Sequence, residues 1–346
     1  MEPIEMTPFE AIRRRPGMYV GELSHRGLKN LLGYLLDDLL QFSTEKITVR
    51  ITFLPDHQVQ IVAEDILISP ILDCWKNMGD PKRYFQNLGI PVLIALSEQV
   101  QMVISTQNHK AELVSRKGVY ELSAAETMQG IGQLSISFNI DPDIFQNVQL
   151  GREMYGSFLQ NYAYIETRLK IVLHDLTTGE PQIIQMDYPS GLSQLMDRKL
   201  SEQLHGKTLF RLDLEETIGA YSYKICIAYL DCWLSKTEIV TYANFDELIY
   251  GGSLINGIRK GLSKALGKYA TLKGIAIDNR KIRNQLTVVA AVKGSKFDWV
   301  NATRTNLDVP AIAKDSAKMV EAAVFQQLLA DEGVAAKVLE IFEPDV

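Results

Sequence analysis

The residues of this 346-residue chain that could do chemistry are mostly cations gathered in one stretch. Between Gly251 and Arg304 there are eleven basic residues, among them Arg259, Lys260, Lys264, Lys268 and Arg304, against only Asp278 and Asp298. That stretch carries +9, so the overall formal charge of −6 leaves −15 on the rest of the chain. Lys260, Lys264 and Lys268 recur at successive i, i+4 steps and would form one stripe along a helix. A row of ammonium groups can neutralise phosphates without reading bases. A solvated helix face balancing an acidic neighbouring domain accounts for the same charges. Aromatic residues are sparse there, which argues against stacking on single strands.

Other chemistries find little support. His25, His57, His109, His174 and His205 show no ligand spacing, so no metal site is expected. Cys74, Cys226 and Cys232 form no CxxC pair, which excludes a cysteine zinc site and a disulfide scaffold and fits a reducing, cytoplasmic setting. No Ser-His-Asp or Cys-His arrangement is evident, and Trp75 and Trp299 read as core anchors. There is no run of about 18 apolar residues, and the chain opens on Met-Glu-Pro-Ile-Glu, so neither a membrane span nor a secretory leader is expected. A hydrophobic fraction of 46% over this length can fill two domain-sized cores. The pI of about 5.5 excludes a uniformly cationic coat protein, though not a local basic face.

These residues need elements to position them. Thr7-Pro8-Phe9-Glu10 has the form of a capping box, opening a helix that stops at Arg15-Pro16-Gly17. Leucines at 28, 31, 32, 35, 36, 39 and 40 predict an amphipathic helix over 27–42. Alternating stretches predict strands at 46–53, 58–62, 100–106, 111–114 and 133–138, with a helix over 92–99. After a break at Asp141-Pro142-Asp143, a helix is predicted over 155–167 and strands at 169–174, 207–214, 223–229 and 285–292. Gly251-Gly252 launches a basic helix to about 269, and a final helix is predicted over 312–341. The pattern is α+β in two lobes, divided at 148/149.

The run Glu10-Ala-Ile-Arg-Arg-Arg-Pro-Gly-Met-Tyr-Val-Gly21 resembles the start of the ATPase region of DNA gyrase B and topoisomerase IV B. Gly27-Leu28, Ile136-Ser137-Phe138 with Asp141-Pro142-Asp143-Ile144-Phe145, Tyr188-Pro189-Ser190-Gly191-Leu192, Gly251-Gly252-Ser253 and Gln285-Leu286-Thr287-Val288-Val289-Ala290 continue the resemblance in the same order. It covers essentially the whole chain. It implies a GHKL-type (Bergerat) α/β sandwich over 1–148 and a transducer lobe of ribosomal-protein-like α+β fold over 149–346. The family's DNA-cleaving parts are not expected in this chain. Only six residues precede Thr7, too few for the family's N-terminal dimerisation arm.

The resemblance also implies which residues should bind nucleotide, and most of them have changed. Tyr34 stands where the family has the glutamate that activates water, and a phenol is a poor general base. Asp38 stands for its magnesium-holding asparagine. Glu64 and Asp65 keep carboxylates at the adenine-binding box, but the two glycines of that box are Ile66 and Ile68, and the adenine-reading threonine is Leu134. The glycine-rich phosphate lid, whose backbone N–H groups would hold phosphates, is Arg83-Tyr84-Phe85-Gln86-Asn87-Leu88-Gly89, with only Gly89 left. Arg304, in Ala302-Thr303-Arg304, stands for the lysine that reaches the γ-phosphate. The expectation is a lost ATPase that binds ATP and magnesium at most weakly and needs no other cofactor. It would act as a regulatory or binding module, with duplex DNA, another protein or a gyrase-like subunit as partner and no membrane. A divergent but active ATP-binding B-type component of a type II topoisomerase is the alternative.

Overall fold

The leucine-rich segment folds as α3 (His25–Gln41), the centre of the first unit. Ser24 caps it by accepting a hydrogen bond from the Arg26 N–H. Leu28, Leu31, Leu32, Leu35, Leu36 and Leu39 are all buried, each stabilising the fold by about 2 kcal/mol relative to exposure. The computed structural model describes residues 6–43, 45–80, 88–123, 128–203, 206–232, 236–301 and 304–344. Two compact units divide the chain, 1–189 and 190–346.

The first unit carries an eight-stranded sheet. Its strands are β1 (Ile47–Leu54), β2 (Gln58–Leu67), β3 (Ser97–Ser105), β4 (Lys110–Arg116), β5 (Val119–Ser123), β6 (Ile131–Ile140), β7 (Leu169–Asp175) and β8 (Gln182–Met186), in the order β5-β4-β3-β6-β2-β1-β7-β8. Neighbours are antiparallel except β1 and β7, which run parallel with Ile47 opposite Leu169 and Phe53 opposite Asp175. Helices α1 (Pro8–Arg14), α2 (Gly17–Val20), α4 (Ile68–Asn77), α5 (Gly89–Leu96) and α6 (Arg152–Ile165) complete the unit with α3.

The β1–β7 pairing corrects the predicted boundary at 148/149. Because α6, β7 and β8 extend the first sheet, its unit runs 41 residues further, to Pro189.

The second unit has a five-stranded sheet in the order β12-β11-β13-β10-β9. Its elements are α7 (Leu192–Glu202), β9 (Lys207–Ile218), β10 (Tyr221–Asp231), β11 (Glu238–Ala243), β12 (Asp246–Glu247), α8 (Ser253–Lys273), β13 (Leu286–Gly294), α9 (Pro310–Ala330) and α10 (Glu332–Glu340). Tyr223, Ile225, Val288 and Ala290 of the sheet share one core with Leu254, Ile258 and Leu262 of α8 and Val320 and Val324 of α9. Gly257 and Gly261 bring α8 and α9 to backbone contact. A Cβ at 257 would lie 2.5 Å from the Ala313 carbonyl oxygen, and one at 261 would lie 2.6 Å from that of Ala317.

The single final helix predicted from sequence is two helices. Asp331 leaves helical geometry (φ −135°, ψ 92°) and caps α10 by accepting from the Val334 N–H at 2.9 Å. Among the described residues, no helix is long and apolar enough to cross a membrane.

Candidate functional site

Where α3 meets α5, Tyr34 and Asp38 lie one turn apart. Asp38 is 3% exposed, and its Oδ2 accepts a hydrogen bond from the Ile90 N–H at 2.9 Å. A carboxyl group of the protein therefore occupies the N-terminal end of α5, where free N–H groups and the helix dipole would otherwise attract an anion. Burial pushes the Asp38 pKa up to about 8, against the Ile90 hydrogen bond, which favours ionisation, and with the neighbouring Asp37, which opposes it. At neutral pH this carboxyl is largely protonated, which makes it a poor ligand for a hard dication. The half-buried Cys74 thiol feels the same site, its pKa pushed up to about 12 by desolvation and by Asp38. Gly89 lets α5 touch α3 directly, since a Cβ there would lie 2.6 Å from the Tyr34 carbonyl carbon and oxygen. Tyr34 donates its hydroxyl to the Tyr19 carbonyl oxygen at 3.3 Å, so this phenol acts as a brace.

The segment that the resemblance matches to the adenine-binding box is apolar. At 64–65 the pairing of β2 with β6 slips, a bulge between Ala63 and Ile66. Asp65 adopts the left-handed region (φ 59°) and is exposed. Glu64 is half-exposed, with Arg50 at 3.8 Å. Ala63 and Ile66 turn inward and are buried, and Leu134 of β6 sits beside Ala63 in register, also buried. Ile68, the first residue of α4, fills the notch over Gly132. A Cβ at 132 would lie 2.8 Å from the Ile68 Cδ1 and 2.4 Å from the Ser105 carbonyl oxygen.

Asp38 and Gly89 are thus brought together, and among the described residues Glu64 pairs with Arg50. Residues Arg83, Tyr84, Phe85, Gln86 and Asn87 of the lid, and Ala302 and Thr303, lie outside the described residues. Arg304 belongs to the second unit, where it has a left-handed backbone (φ 53°) and pairs with Asp246 at 3.8 Å. Among the described residues, no three His, Cys, Asp or Glu side chains gather closely enough to hold a metal ion.

One residue gains a role the sequence did not assign. Arg13, inside the Arg-Arg-Arg-Pro-Gly motif, donates to the Ala95 carbonyl oxygen and to Asp141, each at 2.6 Å. Asp141 is fully buried and also accepts from the Asp143 N–H. Two family-like motifs 128 residues apart are therefore halves of one ion pair that ties α1 to the end of α5. Either half alone carries no sequence signal for the other.

The basic residues of the second unit divide into two groups. Lys260, Lys264 and Lys268 are exposed along one side of α8, as their spacing predicted. Lys264 pairs with Glu321 of α9 at 3.3 Å, and the Lys268 ammonium lies 4.2 Å from the centre of the Phe325 ring. Lys260 has no ion-pair partner among the described residues. Arg259 does not join this stripe. Its Nε is buried without a hydrogen-bond partner, and burial together with the nearby Arg283 holds its pKa below the usual guanidinium value.

A sandwich of helices on an antiparallel-rich sheet, followed by an α+β unit built on α8 and β13, is the GHKL ATPase-plus-transducer architecture. The solved structures with this fold include the 43K ATPase domain of Thermus thermophilus gyrase B in complex with an aminocoumarin, with a TM-score of 0.75 and 20% identity over 97% of this chain and 93% of that one. The gyrase B protein of Myxococcus xanthus matches with a TM-score of 0.77 and 18% identity over 96% and 99%. Residues 191–343 match the family model for DNA gyrase B. In sequence the chain is 24% identical to the DNA gyrase B protein of Archaeoglobus fulgidus over 93% of its own length and 54% of the relative's, and 24% identical to that of Clostridium acetobutylicum over 86% and 51%. It is gyrase-B-like across both units and spans about half the length of these curated relatives.

Proposed function

We propose that this chain is a gyrase-B-like binding module without ATP hydrolysis, and that the exposed face of α8 is its contact for duplex DNA. The observation that carries the first part is Asp38 seated on the Ile90 N–H, with Ile66, Ile68 and Leu134 buried at the positions that the resemblance assigns to the adenine-binding residues. Phosphoryl transfer needs room for a triphosphate, a metal and a group that orients water. Here the helix N-terminus is already capped and the base wall is apolar, and the tyrosine at the expected base position is spent on a backbone carbonyl. The DNA part rests on three exposed lysines at helical spacing, an arrangement suited to phosphate contact and not to base reading. The similar proteins are named as subunits, so a gyrase-like subunit is the protein partner to examine first.

Calorimetry of the full chain with a non-hydrolysable ATP analogue and magnesium tests the loss of the nucleotide site. The expected result is no saturable heat at micromolar ligand. Saturable micromolar binding that requires magnesium, or ATP turnover abolished by altering Asp38 or Glu64, overturns the proposal in favour of an active, divergent B-type component of a type II topoisomerase.

A further inference from the structure

Arg259 lies on α8 five residues before Lys264, which puts it about 140° round the helix from that lysine and outside the exposed row. It is half-buried, and its Nε is shut off from solvent without a hydrogen-bond partner. Its terminal nitrogens are not closed off in this way, and among the described residues they too have no partner. A buried donor left unpaired in a folded chain has to be accounted for, and an ion held by the same group is one account.

The surroundings supply no free carboxylate. A short 3-10 helix (Asn279–Arg283) packs on α8, with Ile282 buried in the core that includes Leu262 and Leu266. Tyr229 fixes it by donating its hydroxyl to the Ile282 carbonyl oxygen at 2.9 Å. Of its three cations, Arg280 binds Asp278 through Nε at 3.0 Å and a terminal nitrogen at 2.7 Å. Lys281 donates to the Glu343 carbonyl oxygen at 2.7 Å. Arg283 is left. Its carbonyl oxygen accepts from the Thr237 hydroxyl, but its exposed guanidinium has no hydrogen-bond or ion-pair partner among the described residues. It lies close enough for its charge to oppose that of Arg259, and no acid offsets it there. A partly desolvated charge without a counter-charge is costly.

We propose that Arg259 and Arg283 together bind a phosphate group, Arg259 through its terminal nitrogens and Arg283 as the exposed second arm. Guanidinium forks match phosphate oxygens in pairs, and one dianion neutralises both cations at once. Free phosphate and the backbone of DNA share this chemistry. Because the pair stands apart from the lysine row, it does not depend on that row meeting DNA.

Calorimetry of the full chain with inorganic phosphate, in a chloride buffer at low ionic strength, tests the proposal. Phosphate should bind saturably at millimolar concentration. Arg283→Gln, at an exposed position, should weaken it by about fivefold or more without lowering the melting temperature, and Arg259→Gln should weaken it as much. If Arg259→Gln fails to fold, Arg283→Gln decides alone. Anisotropy with duplex DNA across a salt series then separates the two sources. A salt slope lowered by Arg283→Gln assigns the site to backbone phosphates, and an unchanged slope assigns it to free phosphate. A chain that binds phosphate but no DNA overturns the reading of the lysine row and leaves this one standing. No saturable binding of phosphate, or weakening by Arg283→Gln of less than about fivefold, overturns the proposal.

Discussion

Asp38 on α3 and Lys260 on α8 sit on amphipathic helices, and each occupies a position where the resemblance to gyrase B predicts contact with a ligand. Asp38 is buried and bonded to the backbone of its own unit, with its charge suppressed by desolvation. Lys260 stays in water, and its neighbours Lys264 and Lys268 touch α9 only through an exposed pair and a ring face. In the first region the group at the position expected to face a ligand lies in the core. In the second it remains at the surface. If the nucleotide site is lost as proposed, its scaffold is kept, because the Asp38–Ile90 contact also holds α3 to α5.

The largest effect that sharpens this contrast is in stability against pH. The folded-state pKa of Asp38 is raised above its unfolded value, so the folded chain holds the extra proton between about pH 4 and pH 8. Stability is therefore full at the acidic end of that window and falls as pH rises through it, by on the order of 5 kcal/mol. Asp38→Asn keeps an acceptor for the Ile90 N–H and cannot ionise. Urea unfolding from pH 5 to 8.5 should show a flatter profile for the variant, and an unchanged slope would break the contrast.

Gly89→Ala comes next. Its Cβ would meet the Tyr34 backbone at 2.6 Å, forcing α5 off α3 and costing about 3 kcal/mol. Thermal and chemical melts would measure this, and a neutral result would mean that the two helices are not in direct contact.

Smaller effects belong to α8. Duplex DNA binding should lose about 0.9 from its logarithmic salt slope on Lys260→Ala, and less on Lys264→Ala or Lys268→Ala, whose ammonium groups are partly engaged. Glu321→Gln should strengthen binding slightly by freeing Lys264, by less than about 1 kcal/mol. Fluorescence anisotropy across a salt series reads all four variants. Binding that ignores salt would leave α8 as a solvated face only.

Much of the scaffold was legible in the sequence. Leucine spacing gave α3 to within two residues, and the ordered motifs gave the two-unit architecture. The boundary was not legible, because the parallel pairing of β1 with β7 is made across more than a hundred residues and leaves no local pattern. The candidate site divides in the same way. That Ile66 and Ile68 stand where the resemblance expects glycines could be read directly, yet that Ile68 fills the notch over Gly132 depends on a contact between separate segments. Arg259 and Lys260 are adjacent in sequence, and only the packing of the helix places one inward beside Arg283 and the other in water.

The glycines at 257 and 261 have a mechanical consequence. Helices at backbone contact cannot slide past one another without clashing, so α8 and α9 behave as one stiff beam and the lysine row keeps a fixed pitch. A polyanion has to conform to that pitch. Duplex DNA, the proposed partner, is itself stiff over many such steps and would meet the row without being straightened, whereas a flexible strand would have to give up conformational freedom to do so. If α8 meets DNA as proposed, rigidity on both sides of the contact, as much as the number of charges, would select the partner.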